Sequence, residues 1–311
     1  VTDVRRPHRS DPFVARLLDR TTLPALDGPV VCAVSGGADS TSLLALAVAA
    51  GLEVTAVHVD HGLRPGSERE ADRVAAVADA WGAAFRSVRV EVAPGPDLEA
   101  RARAARQAAV GNRALFGHTA DDQAETVLLR LLRGTGPAGL AAMRRDRHPL
   151  LALRRCDTVE LCRHLGVVPV EDPTNTEPRF RRNRVRHEVL PLLADVAGRD
   201  VVPLLCRLAD LAAGQADLLA DLAGTVDAED AAALAATPVP LAAEAVRRRW
   251  AEVTGGAPPP DASAVRRVLE VAGGGAVACE VADGWEVRRS AGRLRWRRVE
   301  GTGSAPRARS L

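Results

Sequence analysis

The segment Ser35-Gly36-Gly37-Ala38-Asp39-Ser40 carries the residue types for phosphate chemistry. It follows the apolar run Val30–Val34 and precedes a helical pattern. Two glycines let backbone N–H groups converge without Cβ obstruction, and a helix N-terminus behind them adds its dipole, which together make an anion site. Ser35 and Ser40 can donate hydroxyl hydrogen bonds to phosphate oxygens. Asp39 would repel a phosphate directly, so it suits the site only through a bridging Mg2+. Gly-Gly alone would equally fit an ordinary Ser-capped turn; both serines and the Asp together point to phosphate. Rival motifs fail on position. Gly134-Thr135-Gly136-Pro137-Ala138-Gly139 spells G-x-G-x-x-G but follows a helix pattern rather than a strand. Ala33-Val34-Ser35-Gly36-Gly37 lacks the first Gly of a nucleophile elbow. His187-Glu188 has no second His at the spacing a zinc protease needs. The chain contains no Lys and no Tyr. The missing Lys excludes a P-loop NTPase and a pyridoxal-phosphate Schiff base.

The elements that must position this loop follow from pattern. Val30–Val34, Glu53–Val59, Ala84–Val92 and Ala114–Phe116 read as strands. Helical patterns alternate with them: Ser40–Ala50 stopped by Gly51, a helix behind a Ser67/Glu70 capping box and stopped by Gly82, an Arg-rich helix over Asp97–Val110, and Asp121–Arg133 with acids in its first turn. Strand–helix alternation with long connections predicts an α/β fold with a doubly wound parallel sheet. Ligands of such sheets sit beyond the strand carboxyl ends. Ser35, Asp60 and His118 all fall there. After about Pro191 the texture becomes Ala/Leu-rich. Helices are expected over Val201–Gly224, Glu229–Ala236 and Leu241–Thr254, then a Gly/Pro linker at Gly255–Asp261. Val277–Val281, Trp285–Arg289 and Leu294–Arg298 predict a small antiparallel sheet. The expected organisation is an N-terminal segment 1–27, an α/β domain 28–193, a helical plus small β domain 194–300, and a disordered tail 301–311.

Composition sets outer bounds. The chain has 311 residues, 47% of them apolar, enough for a real core over about two domains. No apolar run reaches the roughly 18 residues of a spanning helix. Val1–Pro12 has no apolar stretch of the signal-peptide kind. Five cysteines with no C-x-x-C predict reduced thiols in a cytoplasmic protein without membrane association. A net charge of +2 says little about a nucleic-acid partner, whereas the clustering of arginines says more.

Four motifs in order narrow the reading. Ser35–Ser40 resembles the pyrophosphate loop of N-type ATP pyrophosphatases, the PP-loop superfamily of adenine nucleotide alpha hydrolase-like fold. His58-Val59-Asp60-His61-Gly62-Leu63-Arg64, Gly117–Thr126, and Asp172-Pro173-Thr174-Asn175 followed by Arg179–Glu188 resemble the tRNA(Ile)-lysidine synthase family. The resemblance runs from about Pro29 to Leu193. Beyond it the chain resembles the family's short form. This implies a two-step ligation. ATP adenylates the C2 oxygen of the wobble cytidine in an isoleucine tRNA with anticodon CAU, and free L-lysine then displaces AMP through its ε-amine to give lysidine and AUA decoding, with residues 28–193 as the ATP pyrophosphatase domain and residues 194–300 contacting the tRNA.

Within that reading, Asp39 and Asp122 are the expected catalytic acids and metal ligands. Ser35, Gly36, Gly37, Ala38, Asp39, Ser40 and His118 are expected around ATP, His118 having a satisfied structural histidine as its alternative. Asp60 and His61 are expected to shape the nucleotide pocket. Glu125, one helical turn from Asp122, would hold the lysine ammonium or take its proton, or else be a solvated helix-end acid. Arg179, Phe180, Arg181, Arg182, Asn183 and Arg186 form a dense basic stretch with an aromatic, suited to a flipped base, or else a solvated face. Arg101, Arg103 and Arg106 make a second basic stripe, and Arg288–Arg298 with Trp296 a third. The family commonly has Tyr where Gln107 stands, so only Arg106 carries over there as a tRNA contact. A tRNA thiolating enzyme, which usually needs a cysteine pair, a small-molecule amide synthetase, and a catalytically silent tRNA-binding module are the alternatives.

Overall fold

The computed structural model describes residues 4–25, 28–60, 68–90, 109–111, 113–170, 177 and 179–299. Expectations for His61–Ser67, Asp97–Ala108 with Arg101, Arg103 and Arg106, Asp172–Asn175, and the tail Gly301–Leu311 lie outside these residues.

Four parallel strands form the main sheet: β1 (Val30–Ala33), β2 (Val54–Asp60), β3 (Ala84–Arg89) and β4 (Leu115–Phe116), in the order β3-β2-β1-β4. Val30 pairs with Val54 and Cys32 with Leu115. The chain reverses winding direction between β1 and β4. A crevice opens at such a reversal, beyond the strand carboxyl ends. Helices α1 (Pro12–Leu18), α2 (Ala38–Ala49), α3 (Glu68–Trp81), α4 (Ala120–Leu131), the one-turn α5 (Pro137–Leu140) and α6 (Arg155–His164) follow in chain order with the strands. The core between sheet and helices is built from Cys32, Leu43, Leu44, Leu46, Trp81, Leu115, Leu153 and Leu161. A second apolar cluster gathers Val57, Val110, Ala114 and Phe116.

Two local departures matter for the site. Helix α2 begins at Ala38 rather than at Ser40, because Gly37 with φ −70° and ψ 162° serves as its N-cap. Asp39 and Ser40 therefore lie in the first turn, where the helix dipole acts. Helix α6 follows the sequence's apparent loop region; it is short and polar, and tertiary packing against α2 supports it where periodicity does not.

A continuous helical stretch follows, α7 (Arg181–Arg184), a π-helical turn at Val185–Val189, and α8 (Leu190–Ala197). Val185, Leu190, Val201 and Val202 pack on Ala120, Ala124 and Leu128 of α4. This packing carries the first compact unit past the boundary expected at residue 193. The units are Val1–Ala213 and Gly214–Leu311, and the division falls within α9 (Val202–Ala223).

The second unit contains α10 (Ala231–Ala236), α11 (Val239–Thr254), α12 (Ala262–Gly273) and the antiparallel sheet β5 (Ala278–Glu280), β6 (Trp285–Ser290), β7 (Arg293–Arg298). Asp261 caps α12, a helix directly behind the expected linker. Trp296, expected among surface arginines, is half-buried with its ring 6.5 Å from Trp250, which is itself buried in this unit's core. No helix among the described residues is long and apolar enough to cross a membrane.

Candidate active site

The loop between β1 and α2 closes on itself. Ser35 N donates to Ser40 Oγ at 3.1 Å, the two hydroxyls lie 3.1 Å apart, and Ser40 Oγ donates to the Gly37 carbonyl at 3.0 Å. Gly36 has φ +87°, a left-handed conformation that glycine adopts without strain. Gly117, just after β4, presses against the same loop: a Cβ there would lie 2.5 Å from the Asp39 carbonyl oxygen. The end of β4 thus meets the first turn of α2 at the sheet's reversal point with no side chain between them. The first-turn N–H groups of α2 have no intrahelical acceptor and face an incoming anion.

Asp39 leads from this loop into an acid–arginine cluster. The Thr158 hydroxyl donates to Asp39 Oδ1, and Arg155 Nη2 lies 3.5 Å from Asp39 Oδ2. Both residues come from the first turn of α6. The same Arg155 nitrogen is 3.1 Å from Asp122 Oδ1, so one guanidinium bridges the two acids expected to hold a metal. Asp122 is 6% exposed. Its other oxygen accepts from Thr119 N at 2.9 Å and Thr119 Oγ1 at 3.1 Å, capping α4. Arg182 Nη2 approaches Asp122 Oδ1 at 2.9 Å.

Glu125 is fully buried, which overturns its reading as a solvated helix-end acid. Arg182 Nε donates to it at 2.6 Å, and Arg186 donates through Nε at 2.6 Å and Nη2 at 3.1 Å. Arg182 and Arg186 are four residues apart and share a helical face across the π-turn. Alongside, Asp121 accepts from Arg154 Nη2 at 2.9 Å and from the Arg155 backbone N–H at 2.8 Å. A cleft of about 270 Å³ is lined here by Asp121, Glu125, Arg155, Arg186, Leu190 and Val202, among others.

The charge balance differs between the acids. Burial pushes the Asp39 carboxyl above its usual range; Arg155 offsets part of this, and the like charge of Asp122 adds to it. Burial would also raise Asp122, but the guanidinium groups of Arg182 and Arg155 outweigh it and hold Asp122 down to about 2. Asp122 is thus firmly anionic, and Asp39 is the carboxylate short of positive charge.

His118 lies at the end of β4 with its Nδ1 3.0 Å from His148 Nδ1. The two rings meet edge to face at 4.8 Å, beside Phe116. His118 also contributes to lowering Asp122. His58 is buried with Nδ1 2.9 Å from the Val34 carbonyl, bracing the strand ahead of the loop.

The basic stretch divides into inward and outward members. Arg182 and Arg186 point at Glu125, so their balancing acid is supplied by α4 rather than by their own stretch. Asn183 is buried and donates to the Glu177 carbonyl at 2.9 Å, bracing the backbone instead of facing outward. Arg184 pairs with Glu188 at 2.8 Å. Arg179 stacks over the Phe180 ring at 4.8 Å and is exposed, as is Arg181. Sequence reasoning missed Arg154, Arg155, Thr158 and His148. The tandem Arg154-Arg155 ahead of Asp157 was the available signal, since Asp157 Oδ2 accepts from Arg154 N at 2.8 Å in a helix-start pattern.

Asp39 and Asp122, with the serine hydroxyls, are hard oxygen donors of the kind Mg2+ takes. A guanidinium cation already lodged between the two carboxylates marks a position where positive charge is stabilised. The residues therefore fit a divalent cation. Among the described residues no group of three or more His, Cys, Asp or Glu side chains converges on one point, so phosphate and water oxygens would complete its shell.

This arrangement defines a class. The family model for the PP-loop domain matches residues 13–193, and the TilS substrate binding domain matches residues 230–295. Relatives extend the match over most of the chain. A tRNA(Ile)-lysidine synthase of Nocardia farcinica is 45% identical, covering 73% of this chain and 75% of its own length. That of Rhodococcus jostii is 43% identical over 73% and 74%, and that of Thermobifida fusca 42% identical over 70% and 75%. The chain belongs to the tRNA(Ile)-lysidine synthase family.

Proposed function

We propose that the protein is an ATP-dependent ligase that joins free L-lysine to C2 of the wobble cytidine in an isoleucine tRNA with anticodon CAU. Adenylated tRNA is the intermediate, and AMP and pyrophosphate are the by-products. The observation that carries this reading is the junction of the Ser35–Ser40 loop with the acid–arginine cluster through Asp39, at the reversal point of the sheet, in a chain of this family. ATP supplies the AMP that turns a poor oxygen leaving group into a good one, and Mg2+, when bound, would supply charge that neutralises the phosphates.

In this proposal the loop N–H groups, Ser35 and Ser40 receive phosphate oxygens, with Asp39 and Asp122 holding the metal. His118 stands at the facing strand end, oriented by His148. The lysine enters the cleft, its methylenes against Leu190 and Val202 and its amine toward the Asp121 and Glu125 side. Glu125 serves the amine step, with Arg182 and Arg186 fixing its carboxylate. The exposed Arg179 and Arg181, with Phe180, are the proposed tRNA contacts of this stretch. The protein is proposed to work in the cytoplasm, where its tRNA substrate resides.

The test is incubation with ATP, lysine and a CAU-anticodon tRNA(Ile) transcript, followed by nucleoside mass analysis. Lysidine at the wobble position with one pyrophosphate per modified tRNA is the expected result. An unmodified cytidine would refute the ligase reading, and a sulfur-containing nucleoside would favour the thiolating alternative.

A further inference from the structure

We infer that Arg155 is a built-in counter-cation that occupies the metal position between Asp39 and Asp122 and must be displaced before a divalent cation can bind. The inference rests on the reading of Asp39 and Asp122 as the metal-holding pair. Three observations carry it. One nitrogen, Arg155 Nη2, reaches both carboxylates, at 3.5 Å and 3.1 Å. Arg155 Nε is buried with no hydrogen-bond partner among the described residues, so the guanidinium is only partly satisfied by them. Arg155 also lines the cleft of about 270 Å³ beside Glu125 and Arg186, which gives the displaced side chain somewhere to go.

The physical logic is linkage. Two carboxylates that share a buried site repel each other and need a cation between them. In this structure Arg155 provides it, and the Arg155 backbone N–H bonded to Asp121 fixes where the side chain starts. A divalent ion competes with a tethered cation that is always present. The ion alone gains little by that exchange. When it arrives with a nucleotide, phosphate oxygens complete its shell and the exchange becomes favourable. Arg155 thereby couples metal binding to nucleotide binding and keeps the acids from loading metal without it. The coupling is reciprocal, as all binding linkage is.

The probe is Mn2+ standing in for Mg2+, with free Mn2+ measured by its paramagnetic resonance signal. Titrations are run on the full chain without nucleotide and with the unreactive α,β-methylene analogue of ATP. Arg155→Met removes the charge and retains much of the bulk; Arg155→Lys keeps a cation. Without nucleotide, Arg155→Met should bind Mn2+ about tenfold or more tighter than the natural protein, a typical size for linked binding. Arg155→Lys should remain as weak as the natural protein, and adding Asp39→Asn to Arg155→Met should remove the gain. Should Arg155→Met fail to fold by circular dichroism, Arg155→Gln replaces it under the same expectation. Equal nucleotide-free Mn2+ affinity in the natural protein and the neutral variant, with Asp39-dependent binding still seen beside the analogue, overturns the inference and leaves the metal assignment standing. Absence of any Asp39-dependent Mn2+ binding, even beside the analogue, overturns the metal assignment and the inference with it.

Discussion

The Ser35–Ser40 loop and the acid–arginine cluster meet at Asp39 but are built in opposite ways. The loop is local. Its hydrogen bonds run between Ser35, Gly37 and Ser40, and its shape depends on glycines and a helix start within a few residues. The cluster is assembled from three distant segments: Asp122 and Glu125 on α4, Arg155 and Thr158 on α6, and Arg182 and Arg186 around the π-turn. A local device can be altered one residue at a time with graded effects. A buried charge network responds more abruptly, because each member neutralises another that has little access to water.

The largest expected effect therefore falls on the cluster. Glu125→Ala opens a buried void, removes the main counter-ion of Arg186 and leaves Arg182 with Asp122 alone. It should destabilise the fold by about 3 kcal/mol, the low end for a broken buried pair because both arginines partly reach solvent. Urea unfolding of the two proteins measures it, and a change below about 1 kcal/mol would mean the arginines simply turn outward to water.

A smaller effect is expected at the loop. Gly117→Ala places a Cβ against the Asp39 carbonyl, a backbone atom that cannot swing aside. The cost should be about 1–3 kcal/mol, as for other overpacked sites, with weakened nucleotide binding as α2 shifts from β4. Unfolding and nucleotide titration, run together, separate this from a neutral change. Undiminished nucleotide affinity would show that the close approach of Gly117 to the start of α2 has no bearing on the site.

The smallest structural effect belongs to Arg181, outside both regions. Arg181→Ala should leave stability within about 0.5 kcal/mol while lowering the salt-dependence slope of tRNA binding by about 1. Arg182→Ala should show the reverse balance, with stability lost first. Identical behaviour of the two variants would erase the division between inward and outward arginines.

The same contrast explains what was legible in the sequence. Strand–turn–helix periodicity and two glycines announce the loop, and the parallel sheet follows from alternation of strands and helices. The loop's place at a strand end could be reasoned before any coordinates. The cluster could be named only in part. Asp122 and Glu125 stood out by spacing, but nothing local to Arg155 or Thr158 signals a partner more than a hundred residues away. The run Arg179–Arg186 reads as one basic surface in one dimension; only its winding through a π-turn against α4 sorts Arg182 and Arg186 inward and buries Asn183. Helix α6 announces only its start, at Arg154–Asp157, since the support for the rest comes from α2 rather than from its own pattern.

In the proposed reaction Asp39 joins the loop to the cluster as the group that serves the phosphate step. This role is tested most directly by pyrophosphate release from Asp39→Asn in the presence of ATP, Mg2+ and the tRNA transcript. Asn keeps the shape and can still accept from Thr158, and the charge lost is one that burial already disfavours, so the fold and tRNA binding should persist. Pyrophosphate release should be abolished while tRNA affinity is retained. Near-normal release by this variant would contradict that role.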